Sequence, residues 1–376
     1  FADWLASAGF SVWQMLPVGP VGYGDSPYSS PSSFAIEPTF LALEPLVTEG
    51  LLAKSDLRAS ARGSKKSNRS KTKPARGNCD FAANRARRMP LYAKAAAHFR
   101  ARGGERTAAW RAFQRRATWL AAWLDFVDEG DDLQRATHAF IQFKLDAQWA
   151  ALRAHCTARG IALVGDVPIF VTADSADVRA APQLFRLKKD GTPEVLTGVP
   201  PDGFSADGQL WGHPHYAWDA HRREKFAWWI SRIACAAERF DLVRIDHFIG
   251  FHNAYEVPAG AKNARRGEWR RAPGRELLTA MAKRFANLPL IAEDLGALTP
   301  EVEALRDDFG LAGMRIVQNA FWSGRSGDMP HNHPFRAVVY SGTHDNETTE
   351  QWWKSRDRNQ RARFRTYAGD GPVHEA

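Results

Sequence analysis

Two hydrophobic rhythms alternate along this chain. In one, apolar residues recur three and four apart, as on the buried face of a helix; in the other they run consecutively, as in a strand covered on both faces. Helical spacing runs through Phe1, Leu5 and Ala8, closed by Gly9. It returns from residue 81 to about 132 with a break at 102–104, and again through Phe140, Phe143, Ala147 and Ala151 up to Gly160. Further helices carry Phe226, Trp229, Ile230 and Ile233, then Leu277, Leu278, Met281 and Phe285. Another starts at Thr299-Pro300-Glu301, an N-cap, a proline at N1 and an early acid, and closes at Gly310. Strand-like runs occupy 10–17, 161–170, 240–248, 288–296, 314–318 and 337–341. Residues 189–192 (KDGT) read as a hairpin turn, and 198–214 as a long irregular loop. Strands alternating with helices predict a parallel sheet covered by helices.

Four of the six runs lead into an acid: Asp166, Asp246, Glu293 with Asp294, and Asp345. In a (β/α)8 TIM barrel such strand ends converge on one site. An open doubly wound sheet would spread them along an edge and would call for a glycine-rich phosphate turn, which this sequence lacks. The predicted fold is therefore an α/β barrel. Arg244 and Asp246 lie two apart on a strand and share a face. An arginine there favours the ionised carboxylate, the form in which a covalent nucleophile attacks; a purely structural pair would leave the same trace. Carboxylates converging without cysteine or metal-spaced ligands point to glycosidic chemistry, in which one attacks the anomeric carbon and another protonates the leaving oxygen. Fourteen Trp and seven Tyr supply flat faces for sugar rings, although most Trp in a barrel are core.

Composition narrows the alternatives. With 44% hydrophobic and 25% charged residues the chain reads as globular, and no run of about 18 apolar residues suggests a membrane span. Three scattered cysteines, Cys79, Cys156 and Cys235, argue against a disulfide framework and fit a reducing, cytoplasmic setting. The net charge of +9 is local: residues 58–116 hold 18 Lys/Arg against Asp80 and Glu105. Within them, 58–78 is basic, aperiodic and without apolar residues beyond alanine, the composition of a linker. A nucleic-acid tail is set aside because no aromatic residue interleaves it for base stacking. His213-Pro-His215, His331-Asn-His333 and His344 have ligand-like spacing, but beside proline on loops they read as polar or sugar-bonding groups; no metal or other cofactor is expected.

The stretches WQMLPVGPVGYGDSPYSS, GDVPIFVTADSADV, GVPPDGFSADGQLWGHPHYAW, VRIDHFIGF, IAEDLG and SGTHDNET, spread almost end to end, resemble the 4-α-glucanotransferase family (amylomaltase or disproportionating enzyme; glycoside hydrolase family 77 of the α-amylase superfamily). The resemblance implies a retaining transfer between α-1,4-glucans or malto-oligosaccharides, with glucose or another glucan as acceptor. Asp246 is then the nucleophile, Glu293 the acid/base and Asp345 the transition-state stabiliser. Arg244 orients Asp246, while Tyr28, Asp166, Gln209, Trp211, His247 and His344 bind glucan. It also implies a catalytic barrel at 1–17 and 139–376, an inserted, largely helical subdomain at 18–138 between the second and third strands, and an active-site lid at 198–214. Gly203, His213 and Ala254-Tyr255 depart from the family pattern and bear on the choice of acceptor. Counted against the family, the first and eighth strands are missing from this chain, so that 1–376 reads as a fragment. An α-amylase-type hydrolase using the same acids, and an inert carbohydrate-binding relative, are the rival readings.

Overall fold

A computed structural model describes residues 1–63, 79–128, 130–203, 205–296, 298–321 and 327–369. The chain divides into two units, Phe1–Val243 with Tyr255–Arg270, and Arg244–Ala254 with Arg271–Ala376. In the first, β1 (Val12–Gln14) and β2 (Ala162–Pro168) pair in parallel, from Val12↔Ala162 to Gln14↔Val164. Asp241, at the head of β5 (Leu242–Asp246), donates its N–H to the Leu163 carbonyl at 2.9 Å, and its carboxylate accepts from the Leu163 N–H at 2.8 Å. Gly165 is required there, because a Cβ would stand 2.3 Å from the Phe240 ring. The run at 10–17 is shorter than its pattern predicts, and Phe10, Val12 and Leu16 are exposed rather than covered.

The helical rhythm between the strands is observed as Phe81–Ala101, Ala108–Arg116, Leu120–Val127 and Asp132–Thr157. Asp80, Thr107 and Asp131 cap three of these by accepting from backbone N–H groups of the first turn. Their apolar faces meet in a core that includes Tyr92, Phe99, Trp110, Trp123, Phe140 and Phe143. The basic stretch 58–78 is not aperiodic throughout: a helix, Lys54–Gly63, takes in its first six residues, and 64–78 lies outside the described residues.

The segment read as an irregular loop is a β-hairpin. β3 (Val195–Val199) and β4 (Gln209–Pro214) pair antiparallel, and with β6 (Asn253–Pro258) and β7 (Glu268–Arg271) they make a sheet in the order β4-β3-β6-β7. Each run is too short to declare itself in sequence. What fixes it is pairing across some sixty residues, Leu196↔Val257 and Thr197↔Glu256, around a small core of Tyr255, Val257 and Ala264.

In the second unit the strands are again parallel. Ile245 at the end of β5 accepts from the Glu293 N–H at 3.0 Å, just after β8 (Leu290–Ala292), and the Glu293 carbonyl accepts from Phe248 at 3.0 Å. Ala292 donates to Ala312 at 2.8 Å, beside β9 (Gly313–Ile316), which pairs in parallel with β10 (Ala337–Tyr340). The class is α/β with parallel strands, plus an antiparallel sheet the sequence did not announce. No helix among the described residues is long and apolar enough to cross a membrane.

Loop 18–42 of the first unit is held by buried side chains as well as by its own short backbone turns. Gln142 accepts from the Ile36 N–H at 2.9 Å and donates to the Ile36 carbonyl at 2.8 Å, as a neighbouring strand would. Glu37, fully buried, accepts from Val21 and Thr39 N–H groups and pairs with Arg85 at 2.6 Å. Buried amide groups left unpaired cost about 1–3 kcal/mol each. Gln142→Leu strands both Ile36 groups, so stability should fall by on the order of 2–4 kcal/mol, read as a lower urea midpoint at unchanged slope; an unshifted midpoint would show that this brace carries no stability.

Candidate active site

The alternation of β5 sends Val243 and Ile245 into the core and Arg244 and Asp246 to the other face. Arg244 is 3% exposed and its Nη2 lies 2.8 Å from an Asp246 carboxylate oxygen. The next residue, His247, turns the chain with φ 53°, the left-handed region that a branched or bulky side chain avoids. That turn aims its N–H at Glu293, whose Oε2 accepts at 2.6 Å while Oε1 accepts from Leu295 at 3.1 Å. Two carboxyls from adjacent parallel strands are thus held side by side in unlike surroundings.

Loss of hydration pushes the Glu293 carboxyl up to about 8, and the neighbouring Asp246 charge pushes the same way. The Arg244 guanidinium and the two N–H donors oppose this without cancelling it. Glu293 is therefore mainly a protonated acid at neutral pH. Burial holds the His247 imidazole down to about 4, so it adds no charge there.

Asp294, read with Glu293 as one strand-end pair of acids, does a different job. It is 1% exposed; it accepts from the Met314 N–H at 2.7 Å, pairs with the buried Arg306, and lies 3.3 Å from Arg315. Gly313 makes the approach possible, since a Cβ would meet the Asp294 carboxylate at 2.4 Å. Asp294 ties the end of β8 to β9 while Glu293, one residue earlier, faces Asp246. Arg306 and Arg315 stand 12 and 21 residues on, and no local pattern could have flagged them.

Asp345 lies in the turn after β10, its side chain 75% exposed and 3.4 Å from the His344 Nε2. The turn is tied within itself: Asn346 Oδ1 accepts from the Thr343 N–H and hydroxyl, both at 2.9 Å. The other candidates belong to the first unit. Tyr28 donates its hydroxyl to Asp166 at 2.8 Å; Asp166 is buried within β2, in a cavity of about 50 Å³ whose lining includes Phe170 and Arg232. Gln209 and Trp211 share a face of β4 and are joined by an indole N–H···O bond of 3.1 Å. Three of the histidines with ligand-like spacing have protein partners on the ring: His215 the Leu196 carbonyl, His331 the Tyr367 hydroxyl and His333 the Asp328 carbonyl.

Residues 1–128 and 127–375 match the family described as 4-alpha-glucanotransferase, glycoside hydrolase 77. The chain is 41% identical to the 4-alpha-glucanotransferase of Thermus thermophilus over 98% of its own length and 78% of the relative's. It is 39% identical to that of Synechocystis sp., again over 98% and 78%. Among solved structures it is similar to the amylomaltase from Streptococcus agalactiae in complex with acarbose, with TM-score 0.89, 32% identity, and coverage of 100% of this chain and 80% of that one.

The electrostatics set a sign that a titration can read. Glu293 is neutral below about 8 and ionises as the pH rises through that value. Its carboxyl resonance in a ¹³C-labelled protein should titrate near there. In Arg244→Gln the midpoint should move further up, because the cation that favours the charged form is gone while Asp246 remains. A midpoint in the ordinary glutamate range, or a downward shift in the variant, would contradict this arrangement.

Proposed function

The chain belongs to the 4-alpha-glucanotransferase family, glycoside hydrolase 77, and we propose that Asp246, Glu293 and Asp345 carry its chemistry. The activity is hexosyl transfer between α-1,4-glucans. The observation behind the residue assignment is the pair of adjacent carboxyls with opposed tendencies, Asp246 beside Arg244 at 2.8 Å and Glu293 raised to about 8. Such a split between two neighbouring acids separates nucleophile from proton donor.

In the first step an Asp246 oxygen attacks the anomeric carbon of a malto-oligosaccharide. The bond to the glycosidic oxygen breaks with its electron pair, and that oxygen takes the Glu293 proton. A glycosyl-aspartate ester and a shortened glucan with a free 4-hydroxyl result. In the second step the Glu293 carboxylate takes the proton from the 4-hydroxyl of an acceptor, glucose or another glucan. The acceptor oxygen then attacks the anomeric carbon, displaces Asp246 and restores both acids. Two displacements retain the anomeric configuration. Asp345 steadies the oxocarbenium-like transition state, Arg244 orients Asp246, and Tyr28, Asp166, Gln209, Trp211, His247 and His344 grip the glucan. The acarbose complex of the Streptococcus agalactiae amylomaltase supports an α-glucan-like ligand for this chain.

The parallel pairings support a (β/α)8 barrel as the architecture. Residues 1–17 and 139–376 belong to it; 18–138 is an insertion whose aromatic side chains pack with Phe140 and Phe143 of the helix Asp132–Thr157, and the hairpin at 198–214 is a lid. Three free cysteines, Cys79, Cys156 and Cys235, support a cytoplasmic setting.

Maltotriose separates transfer from hydrolysis. Transfer redistributes bonds, so glucose and longer malto-oligosaccharides should appear while total reducing ends stay nearly constant. A steady rise in reducing ends would favour an amylase-type hydrolase. Asp246→Asn keeps the shape of the side chain but removes the nucleophile: turnover should drop by on the order of a thousandfold or more with glucan binding retained, and near-normal turnover would sink the assignment.

A further inference from the structure

We propose that Gln318 is the positioning residue for Asp345, an inference that rests on the role given to Asp345 above. Gln318 sits in the 3-10 turn Val317–Asn319 just after β9 and is 5% exposed. A buried side-chain amide is costly unless its groups are paired; the Gln318 Nε2 and two main-chain groups of the same residue are all directed at one feature, the neck of the turn that bears His344 and Asp345. The Gln318 N–H donates to the Ser341 carbonyl at 3.2 Å, on the entering side of the turn. Its Nε2 donates to the Glu347 carbonyl at 3.0 Å, on the leaving side. Its main-chain carbonyl accepts from the Trp352 indole at 3.0 Å, in the helix Thr349–Ser355 that follows. Gly342 completes the fit: a Cβ there would stand 2.7 Å from the Gln318 Nε2, so only glycine lets the amide lie flat against the start of the turn.

Both sides of the neck are thus fastened to one buried residue in the short turn after β9, the entering side by its main-chain N–H and the leaving side by its side-chain amide. Within the neck, Asn346 ties back to Thr343, and the Asp345 N–H donates to the Thr343 hydroxyl at 3.3 Å. The Asp345 carboxylate projects from this frame, exposed and next to His344. A group that stabilises a transition state works only when held to a fraction of an ångström, and a displacement of about 1 Å is enough to lose about 10²-fold in rate. An exposed carboxylate gets no such precision from packing around its own side chain. The brace at its root supplies it, and Gln318 touches no reacting atom.

The test is a double-mutant cycle on the full chain, using maltotriose disproportionation. Gln318→Met removes both amide atoms at similar volume; it should lower kcat about tenfold or more while KM stays within about threefold. In an Asp345→Asn background the same change should cost less than about twofold, because the residue through which Gln318 acts is already disabled. Gly342→Ala, which pushes the amide aside without removing it, should reproduce the split between kcat and KM and serves if Gln318→Met fails to fold. An equal kcat loss in both backgrounds would overturn the proposal, as would a foldable Gln318→Met or Gly342→Ala enzyme with normal kcat. Full activity in Asp345→Asn alone would instead overturn the role of Asp345, and Gln318's with it.

Discussion

Two backbone hydrogen bonds set the register on which this site depends, Glu293 N–H to the Ile245 carbonyl and Phe248 N–H to the Glu293 carbonyl. A slip of one residue between these parallel strands would turn Glu293 away and present Asp294 instead, since successive side chains point to opposite faces. The left-handed turn at His247 then adds its own N–H to the Glu293 carboxyl at 2.6 Å. Strand register and one strained residue together set two acids side by side.

Four acids near these strand ends show how far surroundings, rather than residue type, decide a role. Asp246 has an arginine as partner, Glu293 loses water beside another carboxylate, Asp294 is sealed between two arginines, and Asp345 stands exposed on a turn. Charge favours the ionised form of the first and burial the protonated form of the second. A buried pair such as Asp294–Arg306 is weak evidence for stability in itself. Its value here is geometric, because it anchors the residue next to Glu293.

Buried polar side chains recur as fasteners of irregular backbone. Gln142 and Glu37 hold the loop that carries Tyr28, Asp177 takes the Ser33 N–H at 2.8 Å in the same loop, and Gln318 holds the turn that carries Asp345. Loops cannot satisfy their own backbone groups as helices and strands do. Each brace meets that need and, in the same act, fixes the loop's position. Their loss therefore bears on geometry as much as on stability.

The helices around Phe99, Phe140 and Trp229, the parallel strands ending in acids, and the shared face of Arg244 and Asp246 were legible in the sequence by itself. Each follows from periodicity over a few residues, which is a local property. Six dispersed motifs likewise sufficed to place the chain in its family. Tertiary structure alone decided the hairpin Val195–Val199 with Gln209–Pro214, because its partner strand lies some sixty residues further on. It alone showed what Asp294 does, since the arginines that claim it come from a later helix and strand. It alone brought Gln318 under the neck of the Asp345 turn, a contact spanning 29 residues with no repeat or charge to announce it. Patterns of burial are written residue by residue, whereas the partner of a buried polar group is chosen only when distant segments pack.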